Sequence, residues 1–298
     1  MRWAEHRRVY LGDSSRRVGI FGFAQMKPTV WAKIVPMTLA IVVLMVAGGV
    51  VGALYALQDR MLFFPRPLVG AGPSGKHVES VELTAEDGTL LRGWLVKTDR
   101  SPAPLLVYFG GNAEEVSWLA PTAAERSGWS MLLMNYRGYG HSEGRPSEAR
   151  LFADAVHLYD WAAGRHDVDT RRIVGMGRSL GSGVAIYLAT KRRLAGLVLV
   201  TPFDSITAVA QRHYPFLPVR LLLRHPFDSL ARAAATTVPT LMLVAGRDTI
   251  IPPAHAERLY ERWPDPKRWI EFPAADHETI SDEPGYWRAI TSFLDELT

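Results

Sequence analysis

"GMGRSLGSG", residues 175–183, places four glycines in nine positions. Two kinds of site are built this way: a loop that cradles phosphate, and a sharp turn that presents one serine. The preceding "RIV" reads as a buried strand and the following "VAIYLATK" as a helix, a context both sites share. Spacing separates them. A dinucleotide loop needs G-x-G-x-x-G, but Leu180 stands where its third glycine belongs. The next strand ends "LVLVTP", without the acidic residue that would hold a ribose. A kinase-type loop needs Gly-Lys-Ser/Thr, and the stretch has no lysine. G-x-S-x-G fits directly, with Gly177, Ser179 and Gly181. The flanking glycines suit a tight, strained turn, and Gly183 lets the helix pack close to the sheet. The plainer alternative makes Ser179 a helix N-cap.

A serine hydroxyl attacks only when a histidine takes its proton, and that histidine needs a carboxylate to fix its tautomer. On a strand–turn–helix scaffold of this type the order is serine, acid, histidine. "LMLVAGRDTIIPP" is a strand followed by Asp248, and "WIEFPAADHETI" is the last strand followed by His277. Asp204 in "TPFDS" is the rival acid; Asp276 ranks last because its neighbour His277 would force it to turn back. An oxyanion also needs donors. The backbone N–H of Leu180 is the first expected. In "GGNAEE" the second is the N–H of Asn112, with Gly111 making room. Arg178 reads as an exposed elbow residue, and His213 and His225 as partly exposed packing residues.

Around this turn the chain alternates apolar strands with helical patterns. Strands are expected at 78–83, 90–97, 105–109, 131–135, 173–176, 197–200, 241–245 and 269–272. Helices are expected at 113–126, 148–163, 180–191, 254–263 and 285–297. Such alternation predicts an α/β fold with a mostly parallel eight-stranded sheet and helices on both faces. The absence of cysteine excludes disulfides and zinc–thiolate sites, and no motif asks for a cofactor or metal.

The net charge of +4 first suggests a nucleic-acid partner. Residues 1–33 alone carry +5, however, leaving −1 for residues 34–298, so the folded part lacks the basic face that nucleic acid requires. That tail leads into residues 34–58, which contain no charged side chain. As a helix this run spans about 37 Å, enough to cross a bilayer. Pro36 is expected in its first turn. The run is too long for a signal-peptide core. Basic residues before it and Asp59 after it predict a cytoplasmic N-terminus with the folded domain across the membrane. Because arginines (28) far outnumber lysines (6), a GC-rich bacterial source is expected. The membrane is then the bacterial inner membrane, with the domain periplasmic in a Gram-negative cell. "MKPTVWAK" at 26–33 resembles a natural start, making residues 1–25 an upstream extension. Residues 59–76, rich in proline and glycine, read as a linker, and 77–298 as the catalytic domain.

Together "YFGGNAEE", "MNYRGYGHSEGRPSE", "GRSLGSGVAIYLA", "FDSL", "LVAGRDTIIPP" and "DHETI" resemble the α/β-hydrolase superfamily. The closer likeness is to its single-pass-anchored branch, related to serine aminopeptidase-like hydrolases and acyl-protein thioesterases. The resemblance runs from about residue 58 to the end. It implies Ser179 as nucleophile, Asp248 as acid and His277 as base. Where that branch usually reads His-Gly-Asn, this chain has Gly110. The implied activity is hydrolysis of an ester or thioester through an acyl-enzyme. The segment "HYPFLPVRLLLRHPF" within 203–236 reads either as a short cap that walls an acyl chain or as a helix packed on the sheet; with the membrane anchor, the first reading makes an apolar acyl chain the expected substrate group. The alternatives are a serine aminopeptidase or amidase, and a non-catalytic membrane scaffold on the same fold.

Overall fold

The computed structural model describes residues 28–122 and 128–297. The expected basic tail therefore lies outside the described residues as far as residue 27. The described residues form two units, divided between Leu54 and Tyr55. The first is helical. Helix α1 (Pro28–Leu62) starts earlier and ends later than the charge-free run, so Pro36 lies inside it and not in its first turn. Pro28 takes the first position instead, where a missing N–H costs little. Within Ala32–Leu62 the most apolar 18-residue stretch has a mean hydropathy of 2.6 and buries nothing inside the protein. The last residues of α1, from Tyr55, belong to the second unit.

The second unit is built on one sheet with strands β1 (Val78–Thr84), β2 (Leu90–Val96), β3 (Ala103–Phe109), β4 (Ser130–Met134), β5 (Val168–Arg178), β6 (Gly196–Val200), β7 (Thr240–Ala245) and β8 (Lys267–Phe272). Their order is β1-β2-β4-β3-β5-β6-β7-β8, and β2 alone runs against the others. This is the mostly parallel eight-stranded sheet that the alternating pattern predicts. Every residue of β3, β4, β6 and β7 is buried, as expected for strands covered on both faces.

The covering helices are α2 (Glu148–Ala163), α3 (Leu180–Lys191), α4 (Ile206–His213), α5 (Val219–Leu222), α6 (Ser229–Ala233), α7 (Pro253–Arg262) and α8 (Tyr286–Glu296). Phe152 and Ala155 of α2, Val184 of α3 and Leu259 of α7 pack in the core on one face. Ile290, Phe293 and Leu294 of α8 fill the other. The helix expected at 113–126 is instead a 3-10 helix, Val116–Thr122, over its described part. Pro121 inside it has no N–H to continue an α-helical ladder. The remaining positions of the expected helix, 123–126, lie outside the described residues.

One topological feature positions the site. The chain leaves β3 toward β4 on one side, and β5 flanks β3 on the other. At such a switch point the loops leaving the C-terminal strand ends diverge and open a crevice. Here those loops begin at Gly110, after β3, and at Ser179, after β5.

Candidate active site

Ser179 stands between the last residue of β5 and the first of α3 with φ 52° and ψ −119°, a conformation that disfavours any side chain. Its neighbours are glycines because backbone lies against them. A Cβ on Gly177 would sit 2.2 Å from the Gly181 oxygen, and one on Gly181 would sit 2.0 Å from the Phe109 oxygen. Gly183 faces the rings of Phe203 and Phe227, which seats α3 close to the core. The Ser179 side chain makes no capping bond to α3, so the N-cap alternative does not describe it.

Its hydroxyl instead meets His277 Nε2 at 2.9 Å, and His277 Nδ1 meets Asp248 Oδ2 at 2.6 Å. All three side chains are buried. An ionised carboxylate only accepts, so Asp248 fixes the proton on Nδ1 and leaves Nε2 to accept from Ser179. Asp248 is itself held, because its Oδ1 accepts from the N–H groups of Ile250 and Ile251 at 2.9 and 2.7 Å. The rival Asp204 is engaged elsewhere, with His255 and Arg258. Asp276 folds back on its own turn, accepting from Glu278 and Thr279.

The glycine-rich loop divides its N–H groups. Gly111 donates to Glu114 Oε2 at 2.7 Å, so its own N–H is spent; Gly111 forms cleft wall and does not act as a donor. Among the described residues nothing in the protein accepts from the N–H of Asn112 or of Leu180. Gly110 is enclosed: a Cβ there would come within 3.1 Å of Val116 and 3.4 Å of Glu114, and its carbonyl accepts from Tyr136. A side chain at this position therefore requires Val116 to shift by a few tenths of an ångström.

Two supports of the site were not visible in the sequence. Arg178 is not exposed: its side chain is 13 % accessible and reaches Glu114, Glu278 and the His277 carbonyl. Burial works against its charge, but Glu114 and Glu278 prevail and hold its pKa above the ordinary value. Arg178 thereby joins the turn of Ser179 to the loop of His277.

The second support is the segment just after the membrane-type helix. Phe64 N–H donates to the Asn112 carbonyl at 3.0 Å, and Asn112 Nδ2 donates to the Leu62 carbonyl at 3.1 Å. The Tyr139 hydroxyl accepts from Phe64 N–H and donates to the same Asn112 carbonyl at 2.5 Å. Burial raises the Tyr139 pKa, keeping that donor protonated. Residues expected to be a loose linker thus hold the loop that carries Asn112. Replacing Tyr139 by Phe removes one bond to that loop and no group that reaches the cleft. We expect kcat to fall roughly tenfold, short of the 10²–10³ of losing an oxyanion donor outright. KM for a small ester should stay unchanged; steady-state kinetics on both constants check this.

Ser179 and His277 open into a cleft of about 270 Å³, whose lining also includes Glu115, Trp118, Arg178 and Glu278. A hydroxyl activated by an imidazole, beside two unspent amide hydrogens, is an arrangement suited to acyl transfer. Among the described residues no cluster of side chains could hold a metal ion.

Comparison with known proteins bears on the fold and the family. Residues 100–226 match the family model described as serine aminopeptidase, S33. An uncharacterized protein of Mycobacterium tuberculosis is 38% identical, the match covering 86% of this chain and 93% of that one. An uncharacterized membrane protein of Saccharomyces cerevisiae is 32% identical, over 83% and 92% of the two chains. The α/β-hydrolase domain-containing protein WAV2 of Arabidopsis thaliana is 28% identical, over 84% and 92%. Among solved structures, the Pyrococcus furiosus esterase Pf2001 superposes with a TM-score of 0.64 at 20% identity, covering 79% of this chain and 97% of that one. These likenesses, together with the sheet order and the serine turn, establish that the chain belongs to the α/β-hydrolase superfamily, among the relatives of the serine aminopeptidase S33 family.

Proposed function

We propose that this hydrolase is a membrane-anchored serine enzyme that cleaves an ester or thioester with an apolar acyl chain. The observation that carries the reading is the continuous line of contacts from Asp248 through His277 to Ser179, which is followed by Leu180 and shares its cleft with Asn112. Ser179 Oγ attacks the acyl carbon while His277 Nε2 takes its proton. The two amide hydrogens stabilise the oxyanion, and His277 returns the proton to the departing alcohol or thiol. Water, deprotonated by His277, then attacks the acyl carbon, and the acyl–Oγ bond breaks as His277 returns that proton to Ser179 Oγ. The half-exposed Trp118 ring provides an apolar wall at the cleft. Residues 34–58 hold the protein in the bilayer, with the N-terminus cytoplasmic and the catalytic domain on the far side.

A panel of p-nitrophenyl esters, acyl thioesters and aminoacyl amides tests the reading. kcat/KM should rise at least roughly tenfold from acetyl to octanoyl, full burial being worth about 0.8 kcal/mol per methylene. A flat or falling series would remove the apolar-chain assignment. A serine aminopeptidase is the second reading, favoured by the Glu115 and Glu278 carboxylates on the cleft, which suit a substrate ammonium group. It predicts faster turnover of aminoacyl amides than of any acyl ester in the same panel. Folded protein that turns over nothing in either series would point to the scaffold.

A further inference from the structure

Residues 205–227 contain three arginines, two histidines and no acidic residue. They form α4 and α5 with the connecting turn, and α4 buries none of its residues. Phe216 and Leu221 are 81 % and 84 % exposed, the barest large apolar side chains of the domain apart from Val69. Arg212 and Arg220 line one groove, and neither has a carboxylate partner among the described residues. Bare apolar tips beside unpaired arginines mark a surface that meets a partner.

The partner is indicated by what fastens this segment. Gln58 donates to the Leu222 carbonyl at 3.2 Å and accepts from Arg224 N–H at 2.7 Å. Asp59 pairs with Arg224 at 3.1 Å and His225 at 3.0 Å, so His225, expected to be partly exposed, is buried and engaged. The Arg224 guanidinium lies over the Tyr55 ring, 5.1 Å from its centroid. Residues 55–58 are the last four of the charge-free run, and Asp59 follows them directly. An aromatic ring and an arginine there match the chemistry of a membrane–water boundary. The segment pinned to that boundary is the one that carries Phe216, Leu221 and the free arginines.

We propose that the cap rests on the bilayer, Phe216 and Leu221 dipping among acyl chains while Arg212 and Arg220 pair with anionic phospholipid headgroups. This rests on the anchored reading above and goes beyond it, because a tethered domain need not touch lipid. The consequence is a catalytic domain held at a fixed height, with its cap against the leaflet. His213 of that cap bonds the Ile250 carbonyl in the loop of Asp248, so the docked surface adjoins the candidate site.

The cysteine-free sequence makes the test direct. The full chain carries one cysteine, Phe216→Cys or Leu221→Cys, labelled with an environment-sensitive fluorophore. It is placed in nanodiscs of phosphatidylcholine alone or mixed with phosphatidylglycerol, with spin-labelled lipid as quencher. Arg171→Cys is the control, since that side chain is 87 % exposed near the start of β5, away from the strand ends that carry the site. The expected result is quenching at 216 and 221, at least twofold stronger with phosphatidylglycerol, and none at 171. The double variant Arg212→Gln, Arg220→Gln should lose the dependence on phosphatidylglycerol.

Unquenched labels on a chain that still floats with vesicles after a carbonate wash would overturn the docked cap and leave the anchor standing. Labels quenched before the wash on a chain the wash removes would overturn the anchor and leave the cap. Equal quenching in both lipids would overturn the headgroup pairing. A fluorescence shift that appears in detergent and grows with protein concentration would assign the face to contact between copies and overturn the proposal.

Discussion

Ser179→Ala is expected to lower kcat for the best ester by roughly 10⁵–10⁶-fold while leaving the fold intact. The loss is large because the remaining parts cannot substitute for the hydroxyl. His277 would still sit beside Asp248 and the two N–H groups would remain. Direct attack by water is the only route left, and it lacks a nucleophile held in place. Some acceleration should survive, since oxyanion donors and binding alone retain about 10³–10⁴ over water. The fold should not suffer. Ser179 Oγ makes one hydrogen bond, to His277, and the positive φ is already accepted by a residue with a Cβ. Burst and steady-state kinetics on the purified variant, with a thermal melt alongside, measure both halves. Turnover within tenfold of wild type would mean that this hydroxyl is not the nucleophile.

Asp248→Asn should reduce kcat by about 10⁴-fold, and the reason lies in the local hydrogen bonds. One carboxylate oxygen accepts from two backbone N–H groups, those of Ile250 and Ile251. An asparagine must keep its carbonyl oxygen there, or set its NH₂ against two donors. Its NH₂ then faces His277 Nδ1 and donates to it. The imidazole is forced to carry its proton on Nε2, the nitrogen that should accept from Ser179. The variant is close in shape to wild type but presents the wrong tautomer. KM should change little, and a circular-dichroism melt should lie near wild type. A loss below tenfold would show that the tautomer is set by something other than Asp248.

Much of this was readable from residue order. The serine turn announces itself because backbone crowding permits only glycine at 177 and 181, a local constraint that leaves a local trace. Asp248 and His277 follow strands whose apolar runs are unmistakable, and the side chains meet as that order requires. The two helices around the turn, Glu148–Ala163 and Leu180–Lys191, begin and end where their patterns do.

What stayed hidden depends on distant contacts. Arg178 looked like an exposed residue on a turn, yet its partner carbonyl lies 99 positions away at His277. Residues 59–76 read as a linker because they are rich in proline and glycine, yet Leu62 among them receives the amide of Asn112, 50 positions on. No periodicity encodes these pairings. They arise only when the sheet brings β3, β5 and the end of α1 together.

Labelling of the folded wild-type chain with a fluorophosphonate, followed by digestion and mass spectrometry, is the most direct test of the central claim. The account predicts one phosphonyl adduct, on Ser179, formed in wild type and absent from Ser179→Ala. A folded wild-type chain that stays unlabelled, or an adduct on any other residue, would contradict it.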